Sequence, residues 1–216
     1  MTYTGVVAAN GAPDVRELAA LIITKVSVGP MDNNAYFLRC RRTGDELLID
    51  APAEAARLVD TVGDGPLRTV VTTHRHADHW GALAEVVAAT GAQTVAHPAD
   101  AEGIAVVTDR LVDDHDTVAV GDVELSVIHL AGHTPGSIAL LYDDPQGTPH
   151  LFSGDSLFPG GVGKTTPTTF PTLYRDVVTK IFDRLPDETW VYPGHGNDTV
   201  LGSERPHLAE WEARGW

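Results

Sequence analysis

Apolar and polar residues alternate through LIITKVSV, from Leu21 to Val28, and this period of two predicts a strand. NAYFLRC and ELLID behind it predict two more, broken by turns at Gly29-Pro30 and Thr43-Gly44, so the chain opens on a hairpin-rich sheet. After Pro52 the run AEAARLVDTVG has helical spacing up to Gly63, and LRTVVTTH from Leu67 is a β-branched strand leading into a His-rich loop. From Trp80 the run GALAEVVAATG predicts a short helix with Gly91 as its left-handed terminator. A strand at QTVAH, a helix near Pro98 and a hairpin across TVAVGDVELSVIHL around Gly121-Asp122 follow. Strands at SIALLY and HLFSGD, a helix from Leu173 to Leu185, a strand at TWVYPG and a helix from Glu204 to Arg214 complete the chain. Strand groups separated by helices, with no long Ser, Gly or Pro linker, predict one α/β domain over residues 1–216, with residues 1–20 an arm or a strand.

Composition narrows the function classes. The 216 residues are 43% hydrophobic and 21% charged, which fits a folded globular chain rather than disorder or a membrane bundle. Thirty acidic against 15 basic residues give a formal charge of −15, and only Lys25, Lys164 and Lys180 are lysines. Nucleic-acid binding needs clustered cations, so a nucleic-acid partner is not expected. The N-terminal twenty residues have no basic segment followed by a continuous apolar one, and no apolar run approaches the roughly 18 residues that span a bilayer. A cytoplasmic protein without a membrane partner is the expectation. A single cysteine, Cys40, excludes an intrachain disulfide framework and thiolate zinc fingers, and leaves ten histidines as the conspicuous metal donors.

Four of the candidate donors fall in Thr73-His74-Arg75-His76-Ala77-Asp78-His79. On an extended strand end His74 and His76 share one side and converge on one ion, while Asp78 and His79 turn at a helix start toward a second. Imidazole and carboxylate donors suit zinc, iron or manganese better than calcium. Asp78 capping a helix, with the histidines as surface polar groups, is the plainer reading, but such clustering is rare by composition. His133 in LAGHTPGS, Asp155 in LFSGDSLF and His195 in VYPGHGND each end a predicted strand beside glycine. That repeated arrangement lets several backbones approach a shared site, where α/β sheets place their ligands. Asp50, ending ELLID, is a candidate acceptor for a ligand histidine or a strand-end turn. His97, His115, His129, His150 and His207 receive no role, and Phe170 and Tyr174 read as core on their helix.

THRHADH, followed by GHTPGS, GDSLF and PGHG, resembles the metallo-β-lactamase superfamily signature from about Val28 to the C-terminus, and most closely its short glyoxalase II-like hydrolases. The resemblance implies an αββα four-layer sandwich with two divalent metal ions, zinc foremost, in a cleft at the sheet edges. It places one ion on His74, His76 and His133, a second on Asp78, His79 and His195, and Asp155 between them. A hydroxide bridging two cations about 3.5–4 Å apart is a nucleophile at neutral pH. The implied reaction is its attack on an acyl carbonyl, with Asp78 as a candidate proton acceptor and no side-chain nucleophile. Lys164 in PGGVGKTT is the candidate substrate-binding residue, matching the family lysine that meets a carboxylate of glutathione; Phe158 in place of glycine rules out a P-loop.

An anionic acyl thioester is therefore the expected small-molecule substrate. Classical glyoxalase II carries a further helical domain, whereas 21 residues follow His195 here, and its PGHE is Pro193-Gly194-His195-Gly196 in this chain. The carrier-binding half of such a site is thus absent or supplied by another subunit of a homo-oligomer. The competing readings are a mononuclear iron persulfide dioxygenase, which shares His74, His76, His133 and Asp155, a lactonase, and a non-catalytic metal scaffold. β-Lactamase activity is disfavoured by Asp155 at the bridging position, and RNA processing by the charge.

Overall fold

The computed structural model describes residues 2–215. A seven-stranded sheet runs in chain order: β1 (Asp14–Glu17), β2 (Leu21–Val28), β3 (Asn33–Cys40), β4 (Glu46–Ile49), β5 (Leu67–Val71), β6 (Gln93–Ala96) and β7 (Arg110–Leu111). The first four strands pair antiparallel, and β4 to β7 pair parallel. Parallel pairing needs crossovers, which α1 (Ala55–Thr61), α2 (Leu83–Thr90) and the one-turn α3 (Pro98–Ala101) provide. The second sheet holds β8 (Thr117–Val120), β9 (Val123–His129), β10 (Ile138–Tyr142) and β11 (His150–Gly154). A short hairpin, β12 (Leu157–Phe158) and β13 (Gly161–Val162), follows, then α4 (Phe170–Val177), β14 (Trp190–Pro193) and β15 (Thr199–Val200). β14 joins β11 in parallel and β15 forms the edge; α5 (Leu201–Glu204) and α6 (Leu208–Arg214) end the described chain.

Side-chain alternation sorts these elements into four layers. Leu21, Ile23, Tyr36, Leu38, Leu47 and Val71 meet Leu125, Val127, Leu140, Phe152 and Tyr192 between the sheets. The opposite face of the first sheet, with Val26, Phe37, Leu48 and Val70, packs on Leu58, Leu83 and Val86 of α1 and α2. Leu151 and Val191 of the second sheet pack on Leu173, Val177 and Trp211 of α4 and α6. The architecture is the αββα sandwich, as the resemblance implies.

At one end the inter-sheet face turns polar. Lys25 and Ser27 continue the parity of Leu21 and Ile23 on β2, and Asn34 continues that of Tyr36 on β3. Lys25 is fully buried and donates to Asp198 Oδ1 (2.7 Å), Gly196 O (2.6 Å) and Gly5 O (2.8 Å). Tyr3 Oη and Trp190 Nε1 donate to the other oxygen of Asp198. Burial lowers the Lys25 ammonium pKa and raises that of the Asp198 carboxyl, and each charge offsets the other's shift. Asn34 Nδ2 donates to Pro193 O and Gly196 O, both at 2.9 Å, and Tyr36 Oη to Pro193 O at 2.7 Å. Together these bonds fix the segment that carries His195 against the first sheet.

Several elements differ from the sequence pattern. Part of the N-terminal twenty residues is β1, which pairs with β2. The helix expected from Leu173 starts at Phe170, because Pro171 is preorganised for a first turn, and widens into a π-helical turn at Val178–Phe182. Ala77–His79 is a 3₁₀ turn separated from α2, whose terminator is Gly91 at φ +71°. The terminal helix begins earlier than Glu204, at Leu201, and is interrupted by a 3₁₀ turn at Pro206. Among the described residues no helix is long and apolar enough to cross a membrane.

Removing one member of the buried ion pair leaves an uncompensated charge, which costs about 3–5 kcal/mol. Lys25→Met should lose that much stability in urea unfolding; a loss below about 1 kcal/mol would show that the pair contributes little to the fold.

Candidate metal centre

The clustered residues come from four chain segments at the polar end of the sandwich. His74 and His76 lie in the loop beyond β5, not on the strand itself, and Asp78 and His79 lie on the 3₁₀ turn. His133 sits between β9 and β10, Asp155 just beyond β11, and His195 just beyond β14. Strand periodicity therefore does not align His74 with His76. A buried carboxylate orders that loop instead: Asp50, at the end of β4, accepts from Thr73 N, Thr73 Oγ1 and His79 Nδ1, each at 2.8 Å. Asp50 itself adopts φ 60°, a left-handed conformation that aspartate tolerates better than most residues.

These bonds set the imidazole tautomers. Thr73 Oγ1 gives its proton to Asp50, so it accepts from His74 Nδ1 (3.1 Å) and His74 Nε2 faces the cluster. His79 turns Nε2 inward because Nδ1 donates to Asp50. His133 Nδ1 donates to Lys164 O at 2.8 Å and His195 Nδ1 to Met31 O at 2.9 Å, so their Nε2 atoms also face inward. Lys164 thus contributes its backbone carbonyl to the site. His74 Nε2 lies 3.0 Å from His76 Nδ1, and His79 Nε2 lies 3.2 Å from His195 Nε2. Ring nitrogens that close need a shared proton or cation between them.

Three donor groups lie with ligand atoms within 4.8 Å of one another: His74, His76 and His133; His74, His79 and Asp155; and Asp78, His79 and His195. Asp155 lies among them, with Oδ1 3.4 Å from His79 Nε2 and Oδ2 3.6 and 3.4 Å from the Nε2 atoms of His133 and His195. Asp155 Oδ1 and His133 Nε2 are both buried without a hydrogen-bond partner. Orphaned buried donors of this type are costly unless something pairs with them, and an N/O set of this kind fits transition-metal cations. Gly194 is required by this crowding: a Cβ there would sit 2.2 Å from Asp155 Oδ1 and 2.8 Å from His79 Cε1.

Electrostatics follow from burial and carboxylates. Burial pulls His79 down, but Asp50 and Asp155 outweigh it and push its pKa up to about 10. Burial raises Asp155, yet the imidazoles of His195, His79 and His74 around it hold it far below the usual carboxylate range. His74 and His133 are lowered, chiefly by burial, and His195 is raised because Asp155 outweighs its burial. Asn33, which no sequence motif singles out, donates from Nδ2 to Asp78 O (2.8 Å) and Asp78 Oδ2 (3.0 Å). The signal was present in Asp32-Asn33-Asn34, two amides entering an otherwise apolar strand.

A cleft of about 600 Å³ opens beside His76 and His133, lined also by Arg75, Lys164, Thr166 and Thr169. Phe170 is buried and Tyr174 stacks on it and donates to Leu208 O, so neither lines this cleft. His97, Asp113 and His129 form another donor group. The His97 and His129 rings stack at 4.1 Å and 16°, and lone pairs in near-parallel planes do not converge on one ion.

The metallo-β-lactamase superfamily model matches residues 28–195. The chain belongs to the metallo-β-lactamase superfamily. Within this superfamily it is 38% identical over 180 residues to a hydroxyacylglutathione hydrolase of Polaromonas, a match covering 81% of this chain and 66% of that protein. The crystal structure of TTHA1623 in a di-iron-bound form is 34% identical, with a TM-score of 0.67, covering 84% of this chain and 96% of that one. ETHE1 from Myxococcus xanthus is 28% identical, with a TM-score of 0.77 and coverage of 88% and 84%. The seven side chains thus form a candidate dinuclear cluster in a superfamily sandwich.

Asp50→Ala leaves three buried donors unpaired, at about 1–3 kcal/mol each. Chelator-treated protein should lose at least about 3 kcal/mol in urea unfolding, and near-wild-type stability would remove Asp50 as the organiser of the loop.

Proposed function

We propose that the protein is a dinuclear metal-dependent hydrolase of anionic acyl thioesters. The observation that carries this reading is Asp155, whose oxygens lie 3.4 Å from His79 and His195 of one donor set and 3.6 Å from His133 of the other. In this reading His74, His76 and His133 hold one divalent ion, Asp78, His79 and His195 the other, and Asp155 is shared. Two such ions supply Lewis acidity and lower the pKa of water toward neutrality. The protein's own groups do the rest. Asp155 stays ionised, because its histidine neighbours hold its pKa down. Asn33 holds Asp78 Oδ2, the candidate proton acceptor, toward His195 at 3.4 Å. Arg75 and Lys164 place two cations on the cleft beside His76 and His133, suited to an anionic carrier or acyl group. The threonine hydroxyls of the same wall offer neutral hydrogen bonds. The 38% identity to the Polaromonas hydrolase supports the thioester class.

His79 must lose its proton to act as a ligand, and its pKa of about 10 keeps it protonated at neutral pH. Zinc binding should therefore release protons and tighten as pH rises from 7 toward 10; calorimetry in buffers of different ionisation enthalpy reads this directly, and pH-independent affinity would count against His79 as a ligand.

A thioester panel including S-lactoylglutathione tests the activity. Lys164→Ala should raise KM about tenfold for carboxylate-bearing carriers, the weight of one charge-assisted hydrogen bond, with kcat nearly unchanged. One iron per chain with oxygen consumption on glutathione persulfide, and no thioester cleavage, would replace this reading with the dioxygenase.

A further inference from the structure

One buried carboxylate lies outside the seven-residue set, yet touches the segments that carry three of its members. β6 ends at Ala96, and Pro98 starts a single helical turn in which His97 Nδ1 accepts from Ala99 N (3.1 Å) and Asp100 N donates to His97 O (3.0 Å). This turn presents Asp100, which is fully buried. Asp100 Oδ2 accepts from Arg75 N at 3.0 Å and from Thr134 Oγ1 at 2.5 Å, and Oδ1 accepts from Gly136 N at 2.9 Å. Arg75 lies between His74 and His76, and Thr134 follows His133. A single side chain therefore joins the backbone between the first two donors to the loop that carries the third.

The fit is tight and specific. A Cβ on Gly136 would stand 2.7 Å from Asp100 N and 2.9 Å from Asp100 Cβ, so the loop reaches the carboxylate only with glycine at that position. Thr134 Oγ1, its proton committed to Asp100, sits 2.6 Å from Ser137 Oγ, which also accepts from Thr134 N at 3.2 Å. The His-Thr-Pro-Gly-Ser run therefore docks its loop through its threonine, glycine and serine and leaves the histidine to face the cluster.

His76 depends most on this contact. Among the described residues its ring bonds only to His74, and it is exposed, so its position is inherited from the backbone. That backbone is held by Arg75 N on Asp100, by Trp80 Nε1 on Arg75 O at 2.8 Å, and by His79 N on His76 O at 3.0 Å.

We propose that Asp100 is a positioning residue that locks the His76 and His133 loops together and so sets the affinity of the subsite formed by His74, His76 and His133. The inference rests on the metal assignment proposed above. Freed of Asp100, the two loops must be ordered by the ion itself, and loss of such an outer partner typically weakens metal binding about 10–100-fold. The subsite formed by Asp78, His79 and His195 has Asp50, Asn33 and Met31 as its supports and should keep its ion.

Asp100→Asn changes shape little but sets an amide N–H₂ against groups that already donate. Zinc affinity is measured by competition with a chromophoric chelator. Anomalous scattering from crystals grown at limiting zinc reads the two subsites separately. The expected result is a 10–100-fold loss confined to the His74, His76 and His133 subsite, with one ion per chain remaining at limiting zinc. Lys25→Met, which destabilises the fold through the His195 segment, is the control and should leave that subsite intact. A lower melting temperature with both affinities at wild-type values would make Asp100 merely structural and overturn the proposal. Should Asp100→Asn not fold, Thr134→Val decides by the same measurements: a smaller selective loss supports the clamp, and unchanged affinity overturns it. Wild-type protein that binds no zinc at these residues would overturn the metal assignment itself, and the clamp with it.

Discussion

A carboxylate removed from water must find donors for both oxygens, and that demand organises the polar end of this sandwich. The carboxylate side chains of Asp50, Asp100 and Asp198 are each almost wholly buried, and each is paired by groups from other chain segments. Asp50 joins the end of β4 to Thr73 and His79. Asp100 joins the turn after β6 to the loops of His76 and His133. Asp198 joins the stretch after His195 to Lys25 in β2 and to Tyr3. The loops of the site are thus held by charged hydrogen bonds that are strong because they are dry, and costly to break for the same reason.

The apolar layers supply the rigid frame for those bonds. β4, β5 and β6 run parallel, so their ends deliver Asp50, the His74 loop and Asp100 to one rim. β11 and β14 are likewise parallel and deliver Asp155 and His195 to the facing rim. The bonds of Asn34 and Tyr36 to the Pro193 segment tie the rims together. Donors from two sheets can then lie close together without an extended linker between them.

Much of this was legible in the sequence, for reasons that differ by element. Strands with clean alternation, such as Leu21 to Val28, showed their layer directly, and the seven donors were visible because histidine and aspartate recur beside strand ends and glycines. Asp100 was not legible: it lies in Pro-Ala-Asp, an ordinary helix start, and its donors come from 25 to 36 residues away. Lys25 did leave a trace, as a charge at an inward position of an apolar strand, although only the fold reveals Asp198 as its partner. The π-helical turn after α4 left none, since its sequence suits an α-helix equally well. Register between loops is a tertiary property, and local pattern does not encode it.

Arg75 occupies an unusual place in this scheme. Its backbone N–H and carbonyl are both committed, to Asp100 and Trp80, while its guanidinium reaches out along the cleft wall. The chain therefore combines two jobs at one position: main-chain atoms maintain the donor geometry, and the side chain, with Nε 3.8 Å from Asp100 Oδ1, lines the cleft. A change of side chain there would alter the charge on the cleft wall while leaving the main-chain bonds to Asp100 and Trp80 in place.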